Sequence, residues 1–336
     1  MKEFKDNCDY LVVGSGSISE RHISNLRLLF PKCKIGNTSS SGKSLTRKNK
    51  NVDFTYSSIE EASSKTKKFA IIASPASFHL DDAKYFLIKN IPTLIEKPIT
   101  SDFKKLKVFL KEFKGKKNII DVGYNFRFNK TLRFFKKTIS EKKSLGKILS
   151  ISVNVGQHLS LWRKNKNYKQ TVSASDALGG GVLRELSHEL DYITWIFGKF
   201  DKVFCKTFNQ SALKIDVEES IDAIFFNKSG LNLNLHMDFL NSKTTRCCRV
   251  VGEKGTLILD LVDHSISFTK LGGKEKILYK EKNPNRNDMY LKLLKNFKEV
   301  SLNKSKPEVN LNDSIYITNL IEIMKTSSKK NTLCQI

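Results

Sequence analysis

Two side chains of this sequence are suited to moving a proton beside a reacting carbon, Lys97 and His188. Lys97 belongs to the triplet 96–98, which follows the apolar segment 92–95, and His188 follows the three glycines 179–181 in a helical pattern. A lysine can polarise an oxygen or share its proton, and a histidine titrates near neutrality, so it can act as an acid or a base. This pair suits hydride transfer at a carbon that carries oxygen.

A glycine-rich turn near the start of the chain could bind a phosphate group. The apolar segment 10–13 runs into the turn 14–19, and spaced apolar residues typical of a helix follow. A strand, a glycine turn and a helix in this order are the context of a dinucleotide-binding fingerprint. Gly14 allows a tight turn, and Gly16 lets the backbone approach a pyrophosphate, whose charge the helix N-terminus favours. Ser19 takes the place of the third glycine.

Buried parallel strands are predicted to bring these groups to one edge of a sheet. The strands are predicted at 33–36, 69–73, 92–95 and 119–123, with a helix over 80–89. Ligands of such sheets bind at the carboxyl ends of the strands. Because Lys97 lies two residues beyond the end of the strand 92–95, we expect it where a nicotinamide ring would lie.

The second half of the chain has the pattern of another, larger sheet. Residues 148–155 alternate with the two-residue period of a half-buried strand. Further strands are predicted at 223–226, 231–237, 249–251 and 256–259, and helices at 288–300 and 312–328. A sheet of this size with one solvent-avoiding face suggests self-association, so a homodimer or homotetramer is expected.

The composition argues against several other classes of protein. The 336 residues carry a net charge of +25, but the lysines are spread along the chain without a nucleic-acid-binding motif, which favours a solvated surface and no nucleic-acid partner. The six cysteines show no metal-ligand spacing, so reduced thiols and no metal are expected. No apolar run reaches the roughly 18 residues of a membrane span, and the first residues lack a signal-peptide core, so a cytoplasmic location is expected.

Five motifs in this order resemble the glucose–fructose oxidoreductase/inositol dehydrogenase family, written Gfo/Idh/MocA. They lie at 14–22, 74–79, 96–98, 123–127 and 179–191. The resemblance covers nearly the whole chain and implies an α/β fold, with an N-terminal Rossmann domain over 1–122 and a C-terminal α+β domain over 123–336 that carries a large, mostly antiparallel open sheet. It also implies an NAD(P)-dependent oxidoreductase that acts on a hydroxyl or ketone of a sugar or sugar nucleotide.

The family pattern is not matched at a third position, which acts together with the reacting lysine and histidine. In the family, the lysine and histidine act together with an aspartate four residues before the histidine. Here that position is Arg184, and the carboxylate is Glu185, three residues before His188. Residues three and four apart share one face of a helix, so Glu185 is predicted to orient the imidazole.

The resemblance extends to a subgroup associated with bacterial surface-polysaccharide and nonulosonate gene clusters. The segment Trp162-Arg163 and the phrase 178–192 carry this second likeness. It implies a role in surface-glycan biosynthesis. Two alternatives remain at this point: a ligand-sensing protein that keeps the fold without turnover, and a reductase of a substrate that is not a sugar.

The predicted site residues form three groups. The catalytic residues are Lys97, His188 and Glu185. The cofactor-binding residues are Gly14, Gly16, Ser17, Ile18, Ser39, Ser74, Pro75, His79, Glu96, Lys97 and Asn125. The substrate-binding residues are Lys97, Tyr124, Arg127, Trp162, Arg163, Glu185 and His188, although a loop-anchoring role is equally open for the tryptophan and its neighbouring arginine.

The segment after the second strand bears on the choice between NAD and NADP. An acidic residue near the end of that strand would hold the ribose 2′-hydroxyl of NAD. Residues 36–43 contain no carboxylate, and they offer hydroxyls and Lys43, with Arg47 and Lys48 beyond. NADP is therefore slightly favoured, with a merely solvated polar loop as the alternative. His22 and His79 are expected to support the cofactor turn.

Overall fold

The computed structural model describes residues 6–40, 49–141, 145–163 and 166–336, and the chain divides into two units by its internal contacts. Unit 1 comprises Met1–Asn125 and Asn287–Thr318, and unit 2 comprises Phe126–Arg286 and Asn319–Ile336. The sequence-based division after residue 122 differs from this one, because the contacts return 287–318 to unit 1. No local pattern marks such a return, since it is defined only by packing partners distant in sequence.

Unit 1 contains a parallel sheet. Its strands in the described part of the chain are β1 Cys8–Val13, β2 Ile35–Thr38, β3 Phe54–Thr55, β4 Thr66–Ile72, β5 Thr93–Ile95 and β6 Ile120–Val122. They lie in the order β3-β2-β1-β4-β5-β6, and each neighbouring pair is parallel. Residues 69–72 are fully buried, which explains why that segment is apolar at every position. The predicted Rossmann-type sheet is confirmed.

The described part of the first 125 residues forms four α-helices, two of which begin at a side-chain cap. They are α1 Ser17–Leu29, α2 Ile59–Lys65, α3 His79–Leu87 and α4 Phe103–Glu112. Ser58 caps α2, because its side chain accepts a hydrogen bond from the backbone N–H of Glu61. Asp102 caps α4 in the same way. The predicted strand 33–36 is displaced to Ile35–Thr38, because the chain is still in a turn at Cys33, whose N–H donates to the Phe30 carbonyl at 3.1 Å.

Unit 2 contains a larger mixed sheet. Its helices are α5 Lys130–Ser140, α6 Val182–Glu185 and α7 Ser187–Phe197. Its strands are β7 Ile148–Gly156, β8 Lys202–Phe208, β9 Ser220–Phe226, β10 Asn232–Asp238, β11 Thr245–Gly252, β12 Gly255–Asp260, β13 Ser265–Lys270, β14 Glu275–Lys280 and β15 Cys334–Gln335. The order is β14-β13-β12-β11-β7-β10-β9-β8-β15, and the pair β10–β7 is parallel while the others are antiparallel. The mostly antiparallel sheet is therefore confirmed.

Two helices close the chain, as the sequence predicts. They are α8 Asn287–Ser301 and α9 Leu311–Lys330. Helix α8 packs within unit 1, where the Phe297 ring meets the Phe69 ring edge-on at 5.1 Å and the side-chain amides of Asn25 and Asn287 exchange two hydrogen bonds. Among the described residues, no helix is both long enough and apolar enough to cross a membrane.

Candidate active site

The glycine turn of unit 1 has the geometry expected for a phosphate site. Gly14 has φ +123°, and a Cβ on it would lie 2.6 Å from the carbonyl oxygen of Ala73, so a side chain is excluded there. A Cβ on Gly16 would meet no described atom within 4 Å, so the space before the backbone is open. Helix α1 begins at Ser17 without a side-chain cap, which leaves its first N–H groups to an anion.

The other residues of the turn divide between open and packed positions. Ser17 is exposed and Ile18 is half-buried at the start of α1. Ser19, in the place of the third glycine, is fully buried, and its hydroxyl donates to the Ala73 carbonyl at 3.1 Å. The small serine side chain thus fits between α1 and the residue after β4, where the fingerprint has a glycine.

A carboxylate lies beside the segment that follows β2, and the sequence pattern does not reveal it. Ser39 and Ser40 follow β2 directly, whereas 41–48, with Lys43, Arg47 and Lys48, lie outside the described residues. The Ser40 hydroxyl donates to Asp82 Oδ1 at 3.0 Å, and the Ser74 hydroxyl donates to Asp82 Oδ2 at 2.6 Å.

Asp82 belongs to α3, more than forty positions from β2 along the chain, so no reading of the segment after β2 could include it. Its side chain is buried, and this burial raises the pKa of the carboxyl to about 6, although both serine hydrogen bonds act in the opposite direction. The folded chain therefore places a carboxylate beside Ser40, although residues 36–43 themselves contain none.

His79 ties together the segments that follow β4 and β5. Its Nε2 lies 2.8 Å from the Ser74 carbonyl oxygen and its Nδ1 lies 2.9 Å from the Pro98 carbonyl oxygen. The ring is fully buried, and this burial lowers the pKa of His79 even though both carbonyls favour the protonated form. Pro75, next to Ser74, is half-buried. His79 thus links these two segments, and its supporting role at the cofactor turn stays a prediction.

The triplet 96–98 continues from β5 at the carboxyl edge of the sheet. Glu96 donates its N–H to the Ile72 carbonyl at 2.9 Å, and its carboxylate lies 2.7 Å from His22 Nε2. Burial favours the neutral acid, but the hydrogen bond and charge of His22 and the nearby charge of Lys97 hold the pKa of Glu96 below its usual range. Lys97 is half-buried, and the peptide bond to Pro98 is cis.

Two further predicted residues of unit 1 are buried. Tyr124 is fully buried, and Asn125 is 2% exposed. The Asn125 Oδ1 atom has no hydrogen-bond partner among the described residues. An unsatisfied buried amide oxygen is costly, so this atom fits a ligand donor. For Tyr124 the burial indicates a packing role in the described structure.

In unit 2, the helix that was predicted to carry the glutamate and the histidine is interrupted. Helix α6 ends at Glu185, and α7 starts at Ser187 after the non-helical residue Leu186. The argument from positions three apart on one helix therefore does not apply to Glu185 and His188. Both are nevertheless half-buried within a run of buried neighbours, so each remains accessible. Their joint role stays a prediction.

Arg184, which occupies the family's aspartate position, is engaged in hydrogen bonds to neighbouring groups. Its Nη1 donates to Asp176 Oδ1 at 2.8 Å and to the Gly180 carbonyl at 3.2 Å. The same hydrogen bond, with the arginine charge, lowers the pKa of Asp176. This position therefore contributes a buried cation that is neutralised locally.

The His188 imidazole is held by an aromatic stack. Its ring lies parallel to the Phe126 ring, with centroids 4.2 Å apart and an interplanar angle of 6°. The Arg246 guanidinium lies 4.6 Å from the centroid of the same phenyl ring, and it donates to both carboxylate oxygens of Glu189 at 2.7 and 2.9 Å. Phe126, Glu189 and Arg246 were not predicted as site residues, since only tertiary packing brings β11 and α7 to this ring.

Arg127 is engaged in a buried ion pair. Its Nη2 lies 2.7 Å from Asp191 Oδ1, and its Nε donates to both carboxylate oxygens at 3.2 and 3.1 Å. The side chains are 3% and 0% exposed. This geometry gives Asp191 a structural role as the partner of a buried arginine. For Arg127 it indicates bracing of α7, and the predicted substrate contact stays a prediction.

Trp162 has the contacts of a loop anchor. Its indole N–H donates to the Gln157 carbonyl at 3.1 Å, and its ring meets Phe239 edge-on at 5.1 Å. Arg163 is half-buried beside it, and residues 164–165 lie outside the described part of the chain. Of the two roles left open for the pair, the anchor is therefore the one with visible contacts.

Family models match both halves of the chain. Residues 8–124 match the oxidoreductase family model with an NAD-binding Rossmann fold, and residues 136–258 match the GFO/IDH/MocA C-terminal domain. The chain belongs to the GFO/IDH/MocA oxidoreductase family. The family is one of NAD-binding oxidoreductases, which confirms the predicted class of enzyme.

Solved structures of sugar dehydrogenases share the fold of this family member. Levoglucosan dehydrogenase in complex with NADH has a TM-score of 0.81 at 14% identity, covering 98% of this chain and 99% of that one. WlbA dehydrogenase from Bordetella pertussis, in complex with NADH and UDP-GlcNAcA, has a TM-score of 0.79 at 17% identity and covers 99% and 98%. Myo-inositol 2-dehydrogenase from Lactobacillus plantarum has a TM-score of 0.77 at 19% identity, covering 98% and 100%.

One curated relative matches over part of its length. It is an uncharacterized oxidoreductase of Synechocystis sp., 27% identical over 155 residues, which are 45% of this chain and 40% of that protein. The match thus spans less than half of the relative. The match agrees with the family assignment and gives no indication of a substrate.

Proposed function

We propose that this GFO/IDH/MocA protein transfers a hydride between a nicotinamide dinucleotide and a carbon of a sugar or sugar nucleotide, in bacterial surface-glycan biosynthesis. In the oxidising direction the C–H hydride goes to nicotinamide C4, and the hydroxyl proton goes to a protein base. In the reducing direction both transfers are reversed. The cofactor supplies the redox chemistry, and the chain binds, orients and moves protons.

The observation that carries the proposal is the position of Lys97 in unit 1. Lys97 is half-buried and lies two residues beyond β5, at the carboxyl edge of the sheet that also holds the open turn at Gly16. Dinucleotides bind along this edge, so a lysine there can donate a hydrogen bond to the reacting oxygen or exchange its proton. Glu96 and His22 form a buried pair directly before it, which holds the triplet in place.

His188 of unit 2 is proposed as the acid/base. Its ring is stacked on Phe126, which restricts its orientation, and the residue is half-buried. Proton exchange needs a ring nitrogen within hydrogen-bond reach of the substrate oxygen, and a fixed ring plane limits the directions of both nitrogens. Glu185 is proposed to assist through its carboxylate.

The substrate class is supported by the ligands of the structural neighbours. Those proteins were solved with levoglucosan and with UDP-GlcNAcA, and a further one is an inositol dehydrogenase. All three carry ring hydroxyls, the group that the proposed chemistry requires. The proposed role in surface glycans rests on the sequence likeness of Trp162-Arg163 and the phrase 178–192.

The first experiment is a fluorescence titration of the purified protein with NADH and NADPH, followed by turnover with a panel of sugars and UDP-sugars. We expect Lys97→Ala to lower kcat by about a hundredfold or more while cofactor affinity changes little. Lys105→Ala is the matched control, because it removes the same charge from an exposed position of α4. Equal turnover by Lys97→Ala and the control would refute the mechanism, and tight cofactor binding without turnover would favour the ligand-sensing alternative.

We also propose that the open face of the unit 2 sheet associates with a second copy. Ile224 and Phe226 of β9 are 38% and 39% exposed on that face, beside half-buried Phe204 of β8, which pairs with Ile224 in the strand register. Three neighbouring apolar side chains that are partly exposed on one face favour burial against a partner. Phe226→Lys should shift the mass measured by light scattering toward the monomer, and an unchanged mass would contradict this interface.

A further inference from the structure

The hydroxyl of Ser40 has only one proton, and that proton is already engaged. Ser40 follows β2 by two residues, and β2 ends at Thr38, whose carbonyl accepts the N–H of Gly14 at 2.8 Å. Ser40 therefore lies just beyond the strand end that adjoins the glycine turn. Its hydroxyl donates to Asp82 Oδ1 at 3.0 Å. A hydroxyl with its proton so engaged can only accept hydrogen bonds from any further partner.

The same carboxylate also takes the proton of a second serine. Ser74, after β4, donates to Asp82 Oδ2 at 2.6 Å, so each oxygen of the carboxylate has a hydroxyl donor. Asp82 is 4% exposed, and both of its carboxylate oxygens are occupied by these hydroxyls. Ser40 is half-buried and is the more accessible of the two serines. The cluster thus presents, at the end of β2, a neutral acceptor-only hydroxyl with the Asp82 carboxylate directly behind it.

The adenosine ribose of a bound dinucleotide lies at this end of the second strand. The 2′-hydroxyl of NAD(H) can donate a hydrogen bond, whereas the 2′-phosphate of NADP(H) is an anion that needs donors. We propose that Asp82, acting through Ser40, makes this protein selective for NAD(H) over NADP(H). The inference rests on the proposed cofactor binding and adds to it the residue that sets the choice.

Electrostatics acts in the same direction as the hydrogen-bond geometry. Because the pKa of Asp82 is raised to about 6 by burial, the carboxyl is ionised at pH 8. Asp81, its acidic neighbour on α3, is exposed, so solvent screens its charge, and His79 contacts the Ser74 carbonyl. A buried charge is weakly screened, so it disfavours a phosphate dianion placed beside Ser40.

The test is a fluorescence titration with NADH and NADPH at pH 8 on the full chain. We expect the wild-type Kd for NADPH to exceed that for NADH by about tenfold or more, because NADPH loses one hydrogen bond and meets the nearby carboxylate charge. Asp82→Asn keeps the shape but replaces one acceptor by a donor, which frees a serine proton. Its Kd ratio should fall to about threefold or less. Asp81→Asn is the matched control, since it removes the adjacent charge without contact to either serine, and its ratio should stay at the wild-type value.

Ser40→Ala provides a second measurement should Asp82→Asn fail to fold. It removes the acceptor and should weaken NADH binding about tenfold with little change for NADPH. Wild-type protein that binds NADPH as tightly as NADH would overturn the inference, and so would an Asp82→Asn variant that keeps the wild-type ratio. Binding of neither cofactor by folded protein would instead refute the proposed function itself, so the two failures are distinguishable.

Discussion

The buried pair of Arg127 and Asp191 yields a prediction whose size follows from its geometry. The guanidinium makes three hydrogen-bond contacts of 2.7 to 3.2 Å to one carboxylate, and both side chains are almost completely buried. Removing one partner leaves an uncompensated buried charge, which costs about 3 to 5 kcal/mol. Replacing both partners by apolar side chains of similar volume removes the charges together and costs much less. We therefore expect the double variant to be more stable than either single one.

The variants are Arg127→Met, Asp191→Leu and their combination. Both tryptophans of the chain, Trp162 and Trp195, belong to unit 2, so intrinsic fluorescence during urea unfolding reports this unit. With an m-value of about 2 kcal/mol per molar urea, a loss of about 4 kcal/mol moves the midpoint down by about 2 M.

The double-mutant cycle compares the sum of the single effects with the effect of the double replacement. We expect the double variant to recover at least about half of the single-variant loss. Single effects below about 1 kcal/mol that simply add would refute the reasoning. In that case Arg127 would return to its predicted role as a substrate contact, and a raised KM in Arg127→Met with unchanged stability would be its signature.

Three further predictions concern the aromatic stack, the glycine turn and a half-buried histidine. Phe126→Leu removes the ring that holds His188 and should lower kcat about tenfold at unchanged NADH affinity, since an aromatic pair contributes about 0.5 to 1.5 kcal/mol; unchanged kcat would contradict the stack's role. Gly14→Ala should destabilise unit 1 by about 1 to 3 kcal/mol in a thermal unfolding scan, because Gly14 has a positive φ and a Cβ there would clash. Gly16 has neither feature, so Gly16→Ala should fold normally and bind NADH more weakly. Equal effects of the two substitutions on stability would argue against this. The pKa of His236 is raised to about 9 by its hydrogen bonds to Asp238 and Asp222. The protonated histidine therefore stabilises the folded state fully below its unfolded pKa near 6.5, and this stabilisation is lost as the pH rises through 9. After allowance for solvent screening, the free energy of unfolding of unit 2 should fall by about 1 kcal/mol between pH 7 and pH 9.5, and this fall should be absent in His236→Gln.

The elements with strong local patterns could be predicted from the sequence. The strands β1, β4, β7 and β10 and the helices α8 and α9 lie within a few residues of their predicted positions. Each has a long apolar run or a clear period, and burial on one or both sides imposes that pattern on the sequence. Cys247 and Cys248 lie on opposite faces of β11, half-buried and buried, as a two-residue period requires.

Other elements could not be predicted, for reasons visible in their surroundings. Strand β14 is at the edge of the sheet with five of its six residues exposed, so it has no burial pattern to detect. The break at Leu186 falls inside a segment whose composition is that of one continuous helix. Strand β2 is short and ends in Asn37 and Thr38, whose polar side chains are buried because they bond backbone carbonyls.

The sequence alone determined the family, the Rossmann turn at Gly14 and the position of Lys97 after a buried strand. These features depend on neighbours in the chain, so they leave a local record. Only the tertiary structure decided the partners of the charged groups: Asp82 with Ser40, Glu189 with Arg246, and Asp191 with Arg127. An ion pair or hydrogen bond requires two groups to meet in space, and a single sequence contains no record of which distant residues fold together.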